Sequence, residues 1–303
     1  MFEIKKTAVN KEQLITLQNA DHSVYAEVSL DEGARIKTLA FAGVPVIEEQ
    51  EGIAYKDSYA SSLLFPFANR IASGSYNFKG VHYQLECNEN GGENALHGLV
   101  YDKSFELLSQ KTSESCAFVT LGYKASKLSA GFPFSYDFSV CYTLTATSLS
   151  VEVFISNTDT REFPFTLGWH PYFYTSDLEQ SFLNFVSSHK IKFDANLITD
   201  SLIPCEEVMP FVVADKQLDD SFVLKTDRVA FTTPEYTLEL KTNTQENYLQ
   251  LYTPENRNEM AIEPMTGISD SFNNGQGLQI LNSGERYAAK WTLDFTKNNT
   301  YNE

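Results

Sequence analysis

Short runs of alternating apolar and polar residues, each cut off by turn formers after about eight to twelve positions, recur along this 303-residue chain. Ser23–Leu30 alternates and is broken by Asp31-Glu32-Gly33; Ala34–Ala42 follows and is broken by Gly43-Val44-Pro45. Gly74–Glu86 reads as a hairpin turning at Lys79-Gly80. Further strands are expected at Phe105–Ser109, Ala117–Lys124, Tyr136–Thr145, Leu149–Ser156, Lys190–Phe193, Met260–Thr266, Leu278–Leu281 and Tyr287–Phe295. Tyr236–Lys241 and Tyr248–Thr253 are expected to pair as a hairpin across Thr242–Asn247. No window of about twelve residues keeps a 3.6-residue period, so few helices are expected. The aromatic usage, 22 Phe and 16 Tyr against 2 Trp, also favours pleated structure. These signals predict an all-β fold, a large antiparallel sandwich or a barrel. No repeat or low-complexity linker divides the chain, which predicts one domain over residues 1–303 with a frayed tail from 296 to 303.

Charge and cysteine content narrow the function. With 23 basic and 40 acidic residues the formal charge is −17, which repels nucleic acid and anionic membrane surfaces and argues against a phosphorylated substrate. Cys87, Cys116, Cys141 and Cys205 show neither disulfide framework nor zinc-ligand spacing and are expected to be free thiols. The N-terminal stretch Met1–Lys6 leads into a polar segment without the apolar run of a signal peptide, and nothing approaches a membrane span, so a cytoplasmic protein is the expectation. The expected partner is a small molecule, bound by a monomer or weak homodimer.

Two stretches combine titratable groups with stiff, apolar surroundings. In Phe165–Phe173 a histidine, His170, sits between Trp169 and Pro171. Proline restricts its predecessor to extended geometry, so His170 should leave its strand at a fixed angle and face a cleft, where an imidazole exchanges protons near neutral pH. A histidine so placed can equally be a core residue bonded to a backbone carbonyl. In Met260–Thr266 the carboxylate of Glu263 is set in an apolar strand and followed by Pro264; burying it is costly unless it is hydrogen-bonded or put to use. Asn69 and Arg70 end the apolar run Ser61–Arg70, and His97 precedes Gly98 at the end of a turn-rich loop, 88–94. Asp219 and Asp220 stand just before a strand, and Gln250 shares a strand face with Tyr248 and Tyr252. His82, on the second strand of the 74–86 hairpin, reads as structural or exposed.

Taken together and in this order, Asn69-Arg70-Ile71, Asn94-Ala95-Leu96-His97-Gly98, Gly168-Trp169-His170-Pro171-Tyr172-Phe173 and Ile262-Glu263-Pro264 resemble the aldose 1-epimerase (galactose mutarotase) family. The resemblance implies a galactose mutarotase-like β-sandwich with a sugar cleft on one face, and exchange of α and β anomers of an aldose without metal or cofactor. It implies Glu263 as general base and His170 as general acid. His97, Arg70 and Asn69 would hold the sugar, with Gln250 and the Asp219-x-x-Phe222 pattern on its hydroxyls. Phe105 stands where many members have tryptophan, and Glu263 is followed by Pro-Met-Thr, unlike galactose mutarotases proper.

For that chemistry the two proton carriers should face each other across a hexose-sized gap, with neighbouring carboxylates raising the histidine's pKa. Two other readings stay open from sequence. One is a hexose-6-phosphate 1-epimerase on the same fold, although the chain has only six arginines and none is paired near the cleft segments. The other is a non-catalytic sugar-binding protein, for which glutamine and asparagine would serve as well as Glu263 and His170.

Overall fold

A computed structural model describes residues 1–49, 52–125 and 129–298. Among the described residues the regular structure is almost all antiparallel strand, with two single-turn α-helices, Tyr55–Ser58 and Ser271–Asn274, and one 3-10 turn. Among the described residues no helix is long and apolar enough to cross a membrane.

Three sheets carry the architecture. An N-terminal sheet runs in sequence order through Phe2–Val9, Glu12–Asn19, Tyr25–Ser29, Ile36–Phe41 and Val44–Ile47. Its first two strands lie in the stretch read from sequence as a polar segment, although Glu12–Asn19 buries Leu14, Ile15 and Leu17. Phe2–Val9 is largely exposed and carries Lys5 and Lys6, a composition suited to a sheet edge but giving no clear alternation. A nine-stranded sheet runs from Glu106–Thr112 through Cys116–Lys124, Tyr136–Thr145, Ser148–Asn157, Arg286–Lys297, Tyr236–Thr242, Arg228–Thr232 and Phe182–Asn184 to Phe211–Val212. An eight-stranded sheet runs from Thr199–Pro204 through Ser187–Phe193, Asp219–Leu224, Tyr248–Tyr252, Glu259–Met265 and Gly168–Trp169 to Leu63–Leu64, with Tyr172–Tyr174 also on Glu259–Met265. The short strands near 182–184, 199–204 and 211–212 fall in segments that read as polar connections, because few of their side chains are buried.

The large sheets pack face to face through alternate residues. Trp169 stacks on Trp291 of the nine-stranded sheet at 6.2 Å, and Phe173 meets Phe231 at 6.5 Å. Along Glu259–Met265, Met260 and Ile262 join this main core, while Ala261 and Met265 belong to two small apolar clusters on the opposite face. Along Tyr248–Tyr252, Leu249 and Leu251 point inward, and Tyr248 and Tyr252 do not. The period of two thus leaves every second side chain of the central strands on an outer face.

The expected hairpin between Tyr236–Lys241 and Tyr248–Thr253 does not form. The first strand pairs with Arg228–Thr232 and Arg286–Lys297 in the nine-stranded sheet, and the second with Asp219–Leu224 and Glu259–Met265 in the eight-stranded one. Both are apolar on alternate positions, so each can be buried against a facing sheet, and residues 243–247 cross from one layer to the other. The hairpin at Ser75–Phe78 and Val81–Gln84 does form, with His82 exposed. Thr296 and Lys297 are paired in the last strand rather than frayed, and residues 299–303 lie outside the described residues. All four cysteines are free.

Candidate active site

The strand Gly168–Trp169 pairs with Glu259–Met265 at Gly168↔Met265, and pairing resumes in the same register at Tyr172↔Ala261. Continued through the gap, that register sets His170 opposite Glu263. Opposed residues of antiparallel strands share a face with Cβ atoms about 4.5–5.5 Å apart. The gap itself follows from two prolines. Ile262 donates its N–H across it to the Pro171 carbonyl at 3.2 Å. Two residues on, Pro264 directs a nitrogen without hydrogen to the same side, so the ladder cannot close there. His170 is tied instead to the strand before it: its N–H donates to Ser62 at 3.0 Å, and its carbonyl accepts from Ser61 at 2.7 Å.

On the other side of Glu263 the ladder is intact, and Glu263↔Gln250 and Gln250↔Ser221 continue the row. One residue-pair along, Tyr172, Ala261, Tyr252 and Asp219 form a parallel row. The outer face therefore carries a polar row, His170, Glu263 and Gln250, with tyrosines and Asp219 beside it. Phe222, three positions after Asp219, lies on the opposite face among Phe185 and Phe211, so the Asp219-x-x-Phe222 pattern supplies one cleft residue and one core residue.

A second, smaller pairing adds the remaining groups. Arg70 pairs with Leu96, and the next step brings the His97 N–H onto the Asn69 carbonyl at 2.9 Å. Asn69 and His97 both have left-handed backbones, with φ of 57° and 59°. Gly98 follows at φ +79°, and a Cβ there would stand 2.3 Å from the Phe65 carbonyl oxygen. That close crossing of two backbones is what pushes His97 inward.

These elements enclose a cleft of about 320 Å³ whose lining includes all seven residues singled out in the sequence, His170, Glu263, His97, Arg70, Asn69, Asp219 and Gln250. His170 Nε2 lies 3.5 Å from Glu263 Oε1, both side chains almost fully buried at the floor. The two carriers are thus near contact rather than separated by a hexose-sized gap, because the register makes them cross-strand neighbours. His97 meets the His170 ring edge-on at 4.9 Å, and Tyr172 stacks under His170 at 5.0 Å. Gln250 donates to Asp219 Oδ1 at 2.6 Å and accepts from Asn69 at 3.4 Å. The Arg70 Nε donates to Glu89 at 2.6 Å, and its Nη1 to Asn69 at 3.2 Å. His170 Nδ1, His97 Nδ1 and Glu263 Oε2 are buried with no hydrogen-bond partner among the described residues.

Burial dominates the protonation of the floor. It pushes the Glu263 carboxyl well above the ordinary carboxylate range, with the negative charge of Asp219 adding to the shift and Arg70 opposing it. Burial also pushes His170 down to about 3, against a rise from its backbone hydrogen bonding, and Arg70 lowers it further. His97 is driven down by burial, by His170 and by Arg70. Asp219 is raised, chiefly by burial. The expected upward shift of the histidine does not occur, because removing an imidazolium from water outweighs nearby carboxylates that are themselves held toward neutrality. Burial therefore pushes both members of the pair toward their uncharged forms.

Tyr59, Tyr172, Tyr252 and Glu89 also line the cleft. Tyr252 follows from Gln250 by the period of two. Nothing in the sequence marks Tyr59, on the residue that ends a single helical turn, or Glu89, in a loop of turn formers. Among the described residues no group of three or more histidine, cysteine or acidic side chains is placed to hold a metal ion.

A family model described as aldose 1-epimerase matches residues 13–294. The uncharacterized protein YihR of Escherichia coli is 28% identical over 268 residues, 84% of this chain and 84% of its own. The galactose mutarotase of Bos taurus is 30% identical over 166 residues, 54% of this chain and 44% of its own. Among solved structures, a galactose mutarotase-like protein from Clostridium acetobutylicum superposes with a TM-score of 0.88 at 17% identity, covering 98% of this chain and 99% of the other. At that identity the likeness shows the fold, a galactose mutarotase-like antiparallel sandwich.

Proposed function

We propose, from the premise that this chain belongs to the aldose 1-epimerase family, that it interconverts the α and β anomers of a free aldohexose by opening and reclosing the sugar ring. The observation that carries this reading is the buried pair of His170 and Glu263, 3.5 Å apart at the floor of a cleft. At about 320 Å³ the cleft lies at the small end of ligand pockets, roughly 300–1,000 Å³, which suits one monosaccharide.

Anomer exchange moves two protons on oxygens attached to one carbon, so its acid and base must be close neighbours. The carboxylate of Glu263 takes the proton of the C1 hydroxyl; as the carbonyl forms, the bond from C1 to the ring oxygen breaks, and that oxygen takes a proton from His170 Nε2. The enzyme is then left with Glu263 protonated and His170 neutral. The aldehyde rotates about its bond to C2, and the same two transfers run backwards on its other face. The number of protons on the pair plus sugar is constant, and no covalent intermediate is required.

The direction of the pKa shifts fits this cycle at a definite point. Burial favours the neutral pair, the state the enzyme holds while the sugar is open. Arg70 favours an ionised Glu263 and disfavours a protonated His170, so it assists the base and opposes the acid of the state that begins each ring opening. Asp219, Gln250, Asn69 and Arg70 form a chain of hydrogen bonds along the cleft and are assigned to the ring hydroxyls. His97 contacts the face of the acid and is assigned to the ring oxygen side.

The test is polarimetry on freshly dissolved α-glucose and α-galactose. Glu263→Gln and His170→Asn are each expected to lower kcat by about 10²- to 10⁴-fold. Variants that run near the wild-type rate would defeat the assignment.

A further inference from the structure

Arg70, the guanidinium of the cleft, is already paired. Its Nε donates to Glu89 Oε1 at 2.6 Å, with both side chains largely buried. The other carboxylate oxygen, Oε2, accepts from Asn94 Nδ2 at 2.7 Å, and Asn94 is fixed in turn by accepting from the Ser73 N–H at 3.1 Å and donating to the Asn196 carbonyl at 3.2 Å. The loop closes over the carboxylate: Glu89 and Gly92 are bridged at 3.2 Å by a backbone hydrogen bond, and a Cβ on Gly92 would stand 2.3 Å from Glu89 Oε2. Both oxygens are therefore gripped, and the carboxylate is mounted where it cancels the charge of Arg70.

The remaining charges lining the cleft reinforce this. Asp219 and Glu263 are acidic; Lys56 is exposed at the rim on the Tyr55–Ser58 turn, with Asp57 next to it. A carboxylate or phosphate on a ligand demands a guanidinium with free, parallel donors or a cluster of cations. Here one edge of the only guanidinium among the described lining residues is occupied by an acid, and an incoming anion would also face Asp57 and Asp219.

We propose that Glu89 is a specificity-determining residue: it positions Arg70 as a hydrogen-bond donor to a sugar hydroxyl while neutralising its charge, so that the cleft admits uncharged aldoses and refuses those bearing a carboxylate or phosphate. This rests on the function proposed above and narrows its substrate class. Glu89 touches no reacting atom and acts through Arg70.

The experiment compares anomer exchange of galactose with that of galacturonate, and of glucose with that of glucose 6-phosphate, in wild type and in Glu89→Gln, alongside calorimetric binding of the same four sugars. Wild type is expected to favour each neutral sugar in kcat/KM by about 100-fold, the scale of a few kcal/mol for a like-charge clash. Glu89→Gln is expected to narrow both ratios about ten-fold or more, through a lower KM for the charged sugar, while the neutral sugar gains nothing. Equal use of charged and neutral sugars by wild type would overturn the proposal without needing the variant. So would a folded Glu89→Gln protein with unchanged ratios, which is the outcome of a merely structural role. If no sugar of either kind is turned over, the epimerase reading falls, and the binding ratios in the two proteins still decide the role of Glu89.

Discussion

Replacing Glu263 by glutamine should make the protein inactive and more stable at once. Glu263 is about 2% exposed and its Oε2 is buried without a partner. Burial raises its carboxyl well above the ordinary value of 4.5. The sign follows directly. In an unfolded chain the group releases its proton above pH 4.5, whereas in the folded protein it holds the proton to a higher pH. Between those values unfolding releases a proton, so stability falls as pH rises, by up to about 1.4 kcal/mol per pH unit. Below the unfolded value the group has no such effect. Glutamine keeps the shape and an acceptor but cannot ionise, so the variant escapes this slope, worth about 1.4 kcal/mol for each pH unit between the unfolded and folded values. At pH 8 the variant should exceed wild type by at least that amount, and at pH 4 the difference should shrink toward zero. Urea unfolding at a series of pH values measures both curves, and polarimetry on the same samples measures the lost rate. A variant no more stable than wild type at pH 8, or a gap that stays constant from pH 4 to pH 8, would refute the account of the cleft floor as a site of paid-for desolvation.

His170 carries the opposite slope. Its folded pKa is depressed from 6.5 to about 3, so unfolding takes up a proton between those values, and stability is lost as pH falls through that window. His170→Asn should flatten the acid limb of the stability curve below pH 6.5, read by thermal melts from pH 4 to pH 7, and a limb as steep as wild type would show that another group controls it. Gly98→Ala should cost about 1–3 kcal/mol, because alanine disfavours φ +79° and its Cβ would collide with the Phe65 carbonyl. The same substitution should displace His97 and lower kcat/KM in polarimetry; a variant with wild-type melting temperature would show that the crossing relaxes freely.

Much of the fold is legible in the chain because its information is local. Alternation in Tyr136–Thr145 and Leu149–Ser156 is decided by which side of a pleat each residue occupies, and both segments pair as long strands. Phe2–Val9 and Thr199–Pro204 are not legible, since strands with mostly exposed side chains carry no apolar rhythm. The partner of Tyr236–Thr242 is not legible either. Adjacent strands suggest a hairpin, but burial against a facing sheet is gained equally by crossing over, and the sequence is silent on which layer lies nearer.

The sequence by itself determined the identity of the polar groups in the cleft and their rigid settings. Pro171 and Pro264 each fix the backbone beside His170 and Glu263, and glycine at position 98 suits a left-handed backbone. Tertiary structure decided their relation. Residues 170 and 263 become neighbours only through strand register, and register arises from the pairing of segments far apart in the chain. It decided their charge as well, because an imidazole and a carboxyl acquire shifted protonation only when folding removes the water around them. And it alone brought Glu89 onto Arg70, since a loop built of turn formers specifies that the chain bends but not which of its two glutamates will meet the arginine.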